Sequence, residues 1–187
     1  MRIYTSSDNR EILQTLLPEA IVTTYEEYNK EELLSLLTWA DSVCIGSGLG
    51  MSRLSEKILK TVIEYVKVPC LIDADGLNLL AENKNYLNQM AERRFVITPH
   101  MKEMSRLTGT PVEELKADRM QILKDFISRY RITCVLKDSR TLIASEEKGI
   151  RMNLTGNSAM QKRSGDVLAG VISGWMVQEK KRKMLQN

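Results

Sequence analysis

Short apolar runs alternate with longer stretches of mixed apolar and polar residues along most of this chain. The short runs predict β-strands and the longer ones predict helices, and this alternation favours an α/β fold with a mainly parallel sheet. The predicted strands are RIYTS at 2–6, SVCIGS at 42–47, CLIDA at 70–74, FVITP at 95–99, TCVLKD at 133–138, TLIAS at 141–145 and IRMNL at 150–154.

The stretches between these strands have the apolar spacing of helices. They run from Lys30 to Thr38, from Ser52 to Tyr65, from Asn78 to Met90 and from Val112 to Tyr130. Helices that connect parallel strands cover both faces of the sheet, so the strands between them are expected to be apolar on both sides.

The two strands in TCVLKDSRTLIAS, at 133–145, are too close together for an intervening helix. We predict a hairpin that turns at Asp138, Ser139 and Arg140, which makes this edge of the sheet antiparallel. No repeat, low-complexity tract or linker interrupts the chain, and 1–187 is therefore predicted to be a single domain.

Composition and charge exclude several classes of partner. The formal net charge is only +3 over 187 residues, and 43% of the residues are hydrophobic. The dense basic run EKKRK, at 179–183, contains no aromatic residue and is expected to be a solvated helix end rather than a nucleic-acid contact. No apolar run approaches the length of a membrane span or of a signal peptide. We expect a cytoplasmic protein that binds neither nucleic acid nor membrane.

The three cysteines are widely spaced in the sequence. Cys44, Cys70 and Cys134 each lie in an apolar run, which predicts small buried side chains rather than a disulfide or a metal site. Such a set is typical of a reducing compartment.

Polar and glycine residues gather where the predicted strands end. IGSGLGMS, at 45–52, places three glycines between a strand and a helix, where they serve either a ligand's close approach or a tight turn. Asp73 would orient a magnesium-bound water or a substrate hydroxyl, and Asp75 is interpreted as the cap of a helix beginning near Leu77. Ligands of open parallel sheets bind at the carboxyl ends of the strands, so these segments predict one crevice.

Three further positions have both a functional and a structural interpretation. His100, the only histidine, opens a helix with Glu103 in its first turn and is either a ligand contact or a structural residue. Lys137 either meets a nucleotide phosphate or is an exposed hairpin residue. In SGD, at 164–166, Asp166 either takes a proton from a substrate hydroxyl or caps the following helix.

Taken in order, these segments closely resemble one family, the ADP/ATP-dependent NAD(P)H-hydrate dehydratases, whose domain is carbohydrate-kinase-like. The matching stretches are ADSVCIGSGLG, PCLIDADGLNLLA, ITPHMKEMSRLTG, VLKDSRT and TGNSAMQKRSGDVLAGVISG, and they cover nearly all of 40–174. The resemblance implies a ribokinase-like fold with three α/β/α layers.

The resemblance also implies a reaction. Family members repair hydrated NADH or NADPH by passing the terminal phosphate of ADP or ATP to the hydroxyl on the nicotinamide ring, after which elimination of phosphate restores the double bond. Mg²⁺ is the implied cofactor, because it neutralises the transferred charge. No metal site built from protein side chains is predicted.

Carried over by position, the resemblance assigns roles to particular residues. Gly50 and His100 would contact the hydrated dinucleotide, together with the catalytic base Asp166. The adenine-nucleotide site would be formed by Lys137, Asp138, Ser139, Arg140, Thr141, Asn157 and Gly165.

The sequence also departs from the family pattern. The loop before the final glycine and aspartate is glycine-rich in the family, whereas here it is QKRSGD, with Lys162 and Arg163 in place of small residues. Side chains restrict a loop that must wrap a phosphate, which favours a second hypothesis, a catalytically impaired homologue that binds nucleotide or a partner protein. A third hypothesis is a related ribokinase-like kinase acting on a small molecule.

Two elements of the family pattern have no counterpart in this chain, namely a first strand and helix and the last helices. Their absence is expected to expose apolar surface at both places. We expect a homo-oligomer or a partner chain to cover that surface.

Overall fold

A computed structural model describes residues 1–154 and 164–184, the side chains of 164 and of 179–184 excepted. The strands are β1 Arg2–Ser6, β2 Ile21–Tyr25, β3 Val43–Ile45, β4 Cys70–Ile72, β5 Phe95–Ile97, β6 Thr133–Leu136, β7 Leu142–Ser145 and β8 Gly149–Met152. The α-helices are α1 Arg10–Leu16, α2 Lys30–Trp39, α3 Arg53–Tyr65, α4 Asp75–Glu82, α5 Asn85–Met90, α6 Met101–Thr108, α7 Val112–Ala117, α8 Arg119–Tyr130 and α9 Ser164–Met184.

The main sheet has six strands in the order β3-β4-β5-β6-β7-β8. The first four are parallel, and β7 and β8 pair antiparallel at the edge. This confirms the predicted mainly parallel sheet and its antiparallel hairpin. β4 is buried along its whole length, as expected for a central strand of an α/β sheet.

The first two strands form a separate two-stranded parallel sheet. The strand at 2–6 was predicted. Neither α1 at 10–16 nor β2 at 21–25 was predicted from the sequence. Tyr4 and Tyr25 lie on the two strands with ring centroids 4.8 Å apart, and the Tyr4 hydroxyl donates to Glu32 of α2 at 3.4 Å. Burial and the neighbouring Glu32 carboxylate raise the pKa of Tyr4 to about 12.

Two of the predicted helices are each divided in the structure. The stretch from Asn78 to Met90 belongs to α4 and α5, with non-helical backbone at Asn83 between them. The stretch from Val112 to Tyr130 is divided at Asp118, which has φ −139° and accepts the backbone N–H of Gln121 at 3.3 Å. A side chain that caps a new helix favours a break over continuation, and aspartate is one of the best such residues.

The hydrophobic core lies between the main sheet and the helices that pack around it. Its fully buried members come from nearly every element of the sheet and the connecting helices, for example Leu59, Ile63, Leu71, Leu80, Ile97 and Met104. Within 1–154 and 164–184, no helix is both long enough and apolar enough to cross a membrane.

The last helix, α9, packs against β3 and β4 and leaves part of its apolar surface open. Ala169 is buried, whereas Val167, Val171 and Trp175 are exposed and recur every four residues, on one side of the helix. Apolar surface is therefore exposed on this side of α9. A second copy or a partner chain that covers it stays a prediction.

Candidate functional site

The carboxyl ends of the four parallel strands meet at one edge of the main sheet, as predicted. The segments that follow these strands are 46–50, 73–75, 98–100 and 137–141, and the first turn of α9 lies beside them. Backbone contacts join two of the segments, since the N–H of Lys137 donates to the carbonyl of Pro99 at 2.7 Å. The edge therefore brings separate parts of the sequence together where the crevice was predicted.

The glycine segment after β3 packs directly against the segment after β4. Gly46, Gly48 and Gly50 all have positive φ, at 125°, 66° and 77°. A Cβ added to Gly46 would lie 1.8 Å from the carbonyl oxygen of Asp73, whereas one added to Gly48 would meet nothing within 4 Å. Gly46 is thus required by a close approach of two backbones, and Gly48 by its turn conformation alone.

The residue between the two aspartates has an unusual backbone. Ala74 has φ 48° and ψ −122° and is the N-cap of α4. The interpretation of Asp75 as the helix cap is therefore wrong. Asp75 is the first residue of α4, and its Oδ2 accepts the N–H of Gly50 at 2.8 Å. This hydrogen bond to a carboxylate oxygen links the glycine segment to the start of α4.

Lys137 makes an ion pair that the sequence did not predict. Its Nζ donates to Oδ1 of Asp73 at 2.7 Å, and Asp73 is only 2% exposed. The same Nζ lies 3.6 Å from where a Cβ on Gly165 would stand. The ammonium group therefore lies between β4 and the first turn of α9, and Gly165 leaves room for it.

Asp166 lies in the first turn of α9 and is exposed. Its Oδ1 accepts a hydrogen bond from the Ser47 hydroxyl at 2.9 Å. Sequence reasoning missed Ser47, because it is 119 residues away and nothing in the glycine motif marks it as a partner of this carboxylate. The contact orients the carboxylate that the sequence selected as the candidate base.

His100 caps α6 with its own side chain. Its Nδ1 accepts the N–H groups of Lys102 and Glu103, both at 3.1 Å, and the Glu103 carboxylate accepts the N–H of His100 at 2.7 Å. A neutral imidazole that accepts through Nδ1 carries its proton on Nε2, which lies 3.4 Å from Glu103 Oε1. Helix α6 ends at Thr108, and Gly109 is its C-cap. His100 therefore has its structural role as the cap of α6, and 47% of its side chain remains exposed.

The predicted nucleotide residues beyond Lys137 lie at the hairpin turn. Asp138 is paired with Arg119 of α8 at 2.7 Å, while Ser139 and Arg140 are exposed. The carbonyl of Thr141 accepts the N–H of the residue at position 153 at 2.9 Å, which extends the pairing of β7 with β8 beyond Leu142 and Met152. The charge of Asp138 is therefore offset from the helix side.

Three of the residues named from the sequence lie outside the part of the chain that the structure describes. They are Asn157, Lys162 and Arg163. Their predicted roles, in closing over the phosphates and in altering the phosphate loop, stay predictions.

Cys44, on β3, provides an electrostatic probe of this crevice. The expectation that it is buried is wrong for the residue as a whole, which is exposed, while Cys70 and Cys134 are buried as expected. Burial of the thiol itself nevertheless raises the pKa of Cys44, and the charges of Asp73 and Asp166 raise it further, against a lowering contact from Ser173.

We expect Cys44 to react more slowly with iodoacetamide than free cysteine at pH 8, because a raised pKa leaves less thiolate. Asp166→Asn removes one of the charges that raise the pKa, so alkylation should become faster. Mass spectrometry of the Cys44 peptide measures both rates, and the buried Cys70 and Cys134 are internal controls. An unchanged alkylation rate in Asp166→Asn would contradict an effect of the Asp166 charge on the Cys44 thiol.

Comparison with known proteins gives the relationships of the chain. The chain is 37% identical over 180 residues to the bifunctional NAD(P)H-hydrate repair enzyme Nnr of Escherichia coli, an alignment that covers 96% of this chain and 33% of the relative. A ribokinase-like superfamily protein from Enterococcus faecalis superimposes with a TM-score of 0.79 and 28% identity, over 95% of this chain and 61% of that one. This confirms the ribokinase-like fold.

A third relative is the ADP/ATP-dependent NAD(P)H-hydrate dehydratase of Bacillus subtilis, crystallised with ATP and Mg²⁺. Its TM-score is 0.73 at 26% identity, over 94% of this chain and 63% of that one. The chain thus spans about a third of the length of the E. coli relative and about three fifths of the two solved structures. The family model described as NAD(P)H-hydrate dehydratase, with a carbohydrate-kinase fold, matches residues 1–186, and the chain belongs to this family.

Proposed function

We propose that this chain repairs hydrated NADH or NADPH with ADP or ATP as the phosphate donor. The observation that carries the proposal is the arrangement of Asp166 and Lys137 around the first turn of α9. One group supplies a carboxylate that can accept a proton, and the other supplies a fixed positive charge 3.6 Å from the Cβ position of Gly165. Proton removal and charge stabilisation are the two tasks that phosphoryl transfer needs from a protein.

In the proposed reaction, Asp166 takes the proton of the hydroxyl on the hydrated nicotinamide ring. The hydroxyl oxygen then bonds to the terminal phosphorus of the nucleotide, and the bond from that phosphorus to the bridging oxygen breaks. ADP leaves AMP, and ATP leaves ADP. Loss of phosphate from the ring carbon, with loss of a proton from the neighbouring carbon, then forms the ring double bond.

The nucleotide would occupy the side of the crevice formed by β6 and α9. The backbone N–H groups in the first turn of a helix are free to bind an anion, and α9 presents that turn beside the Lys137 ammonium. The hairpin turn at 138–141 would carry the rest of the nucleotide, with Arg119 offsetting Asp138. Asn157 would close over the phosphates.

The hydrated dinucleotide would occupy the side formed by β3 and β5. His100 has a partly exposed imidazole with its proton on Nε2, which suits a hydrogen bond to a ring substituent. Gly50, whose N–H is held by Asp75, would contact the dinucleotide from the β3 side. Ser47 would hold the Asp166 carboxylate between the two substrates through its hydrogen bond.

Magnesium fits this crevice as a partner of the nucleotide rather than of the protein. Among the described residues no three His, Cys, Asp or Glu side chains are grouped so that they could hold a metal ion. Asp73 is engaged by Lys137, and Asp166 is the exposed carboxylate. Mg²⁺ typically keeps waters and binds through phosphates and one or two carboxylates, so Asp166 is the residue that would approach it, and the ion would neutralise the transferred charge.

The test is an absorbance assay of the purified chain with hydrated NADH and Mg²⁺. We expect NADH absorbance to return with ADP or ATP and not with AMP, which is a matched control because its phosphate has no anhydride bond. If folded protein restores no absorbance but binds ADP, the impaired homologue is the better account. Equal return with AMP or without nucleotide would contradict phosphoryl transfer.

A further inference from the structure

Asp73 and Lys137 form a charge pair of unequal burial at the end of β4. Asp73 is 2% exposed as a whole residue, whereas 21% of the Lys137 side chain is exposed. A buried carboxylate is costly unless a positive charge and hydrogen bonds compensate it, and the 2.7 Å contact does so. The pair is therefore fixed from the protein interior, while the ammonium group borders the crevice.

The location of the ammonium group is unfavourable in one respect. It lies near Gly165, the second residue of α9, and a helix N-terminus carries a partial positive charge. A cation there is repelled until an anion binds between the two. Lys137 must consequently be held in place by another group, and Asp73 is the group that contacts it.

The turn that carries Asp73 is held in a backbone conformation that residues with a Cβ rarely adopt. Ala74 has φ 48°, and the turn is fixed on both sides, since Asp73 N–H donates to Ile45 O at 3.0 Å and Gly76 N–H donates to Asp73 O at 3.0 Å. This conformation allows the carboxylates on either side of Ala74 to be bound at once, one by an ammonium and one by a backbone N–H. Backbone strain of this kind persists where the surroundings enforce it, often at functional sites.

We propose that Asp73 is a positioning residue that holds the Lys137 ammonium at the first turn of α9, and that the turn at Ala74, held by its backbone hydrogen bonds, fixes Asp73 there. This inference rests on the proposed function, because the anion received is the terminal phosphate of the nucleotide. Asp73 acts through Lys137 and does not touch the phosphate.

The test is the dissociation constant of ADP measured by calorimetry on the whole chain. If Asp73 acted only as a negative charge, Asp73→Asn would bind ADP more tightly, because the repulsion between the Asp73 carboxylate and the ADP phosphates is lost. Positioning predicts the opposite, roughly tenfold weaker binding, since a misplaced group loses its contact.

In a Lys137→Met background Asp73→Asn should have no further effect on binding, whereas a merely structural role would persist there. Asp125→Asn, at an exposed position on α8, is the matched control and should bind as the wild type does.

Ala74→Gly provides a variant that is not expected to impair folding. Glycine adopts positive φ without strain, so the thermal midpoint should be unchanged or higher, while ADP binding weakens severalfold because glycine allows the turn that carries Asp73 a wider range of conformations. Wild-type affinity or tighter binding in both Asp73→Asn and Ala74→Gly would overturn the positioning role while leaving the proposed function intact. A wild-type chain that is folded and does not bind ADP would overturn both.

Discussion

Asp166→Asn is expected to lower the rate of NADH recovery from its hydrate by roughly 10²- to 10⁴-fold, the usual contribution of a positioned general base. Asparagine can still accept the Ser47 hydrogen bond, so the first turn of α9 should keep its geometry. Its amide does not accept the substrate proton. Without Mg²⁺, the dissociation constant of ADP should change little, because binding then depends on the helix N-terminus and Lys137 rather than on proton transfer.

The measurement pairs initial rates by absorbance with ADP binding by calorimetry. Asp125→Asn is the control for an aspartate-to-asparagine change, because Asp125 is exposed on α8 and accepts a hydrogen bond from the Gln121 side chain at 2.8 Å. It should retain the wild-type rate. An Asp166→Asn chain that keeps more than about a tenth of the rate would remove Asp166 from the role of base.

The second large effect concerns the fold that builds the crevice. Gly46→Ala is expected to lower the free energy of unfolding by about 3 kcal/mol or more, because the new Cβ would overlap a backbone oxygen and φ is 125°. Neither the carbonyl of Asp73 nor the strand behind it can move without opening the contact between β3 and β4. Urea unfolding followed by circular dichroism measures the change.

Gly48→Ala is the matched control for this substitution. Gly48 has φ 66° and nothing within 4 Å of an added Cβ, so it carries the conformational cost without the overlap. We expect a loss of about 1–2 kcal/mol. Equal unfolding midpoints for the two variants would contradict the close backbone approach between Gly46 and Asp73.

The sheet could be predicted from the sequence because its information is local. Each central strand is a short apolar run, and each crossover has helical spacing, so the order of elements follows from the pattern. The hairpin after Lys137 was predicted because a link of a few residues excludes a helix. Helix ends were harder to predict from the sequence. Asp118 ends one helix and caps the next only because its side chain accepts the backbone N–H of Gln121.

The separate sheet of β1 and β2 was missed for a related reason. The run at 21–25 follows a short turn, and its parallel pairing with 2–6 depends on the intervening α1. A seven-residue helix has too few turns to show a clear apolar periodicity.

The candidate site divides in the same way. The identities of Asp166, Lys137 and His100 as candidates came from their places at strand and helix ends and from the family resemblance. Their partners could not be found in this way, because Ser47 and Asp73 are 119 and 64 residues from the groups they contact. Asp75 was misassigned because an aspartate before a helix usually caps it, whereas here a strained alanine takes that position.

The most direct measurement of the central claim is the amount of AMP formed from ADP for each NADH recovered. Chromatography of the nucleotides and absorbance of NADH in the same reaction provide both quantities. Phosphoryl transfer with Asp166 as the base predicts equal amounts of AMP and NADH, and at least about a hundredfold less of both with Asp166→Asn in the same time. NADH recovered without AMP would contradict the account, because the ring hydroxyl would then leave without being phosphorylated.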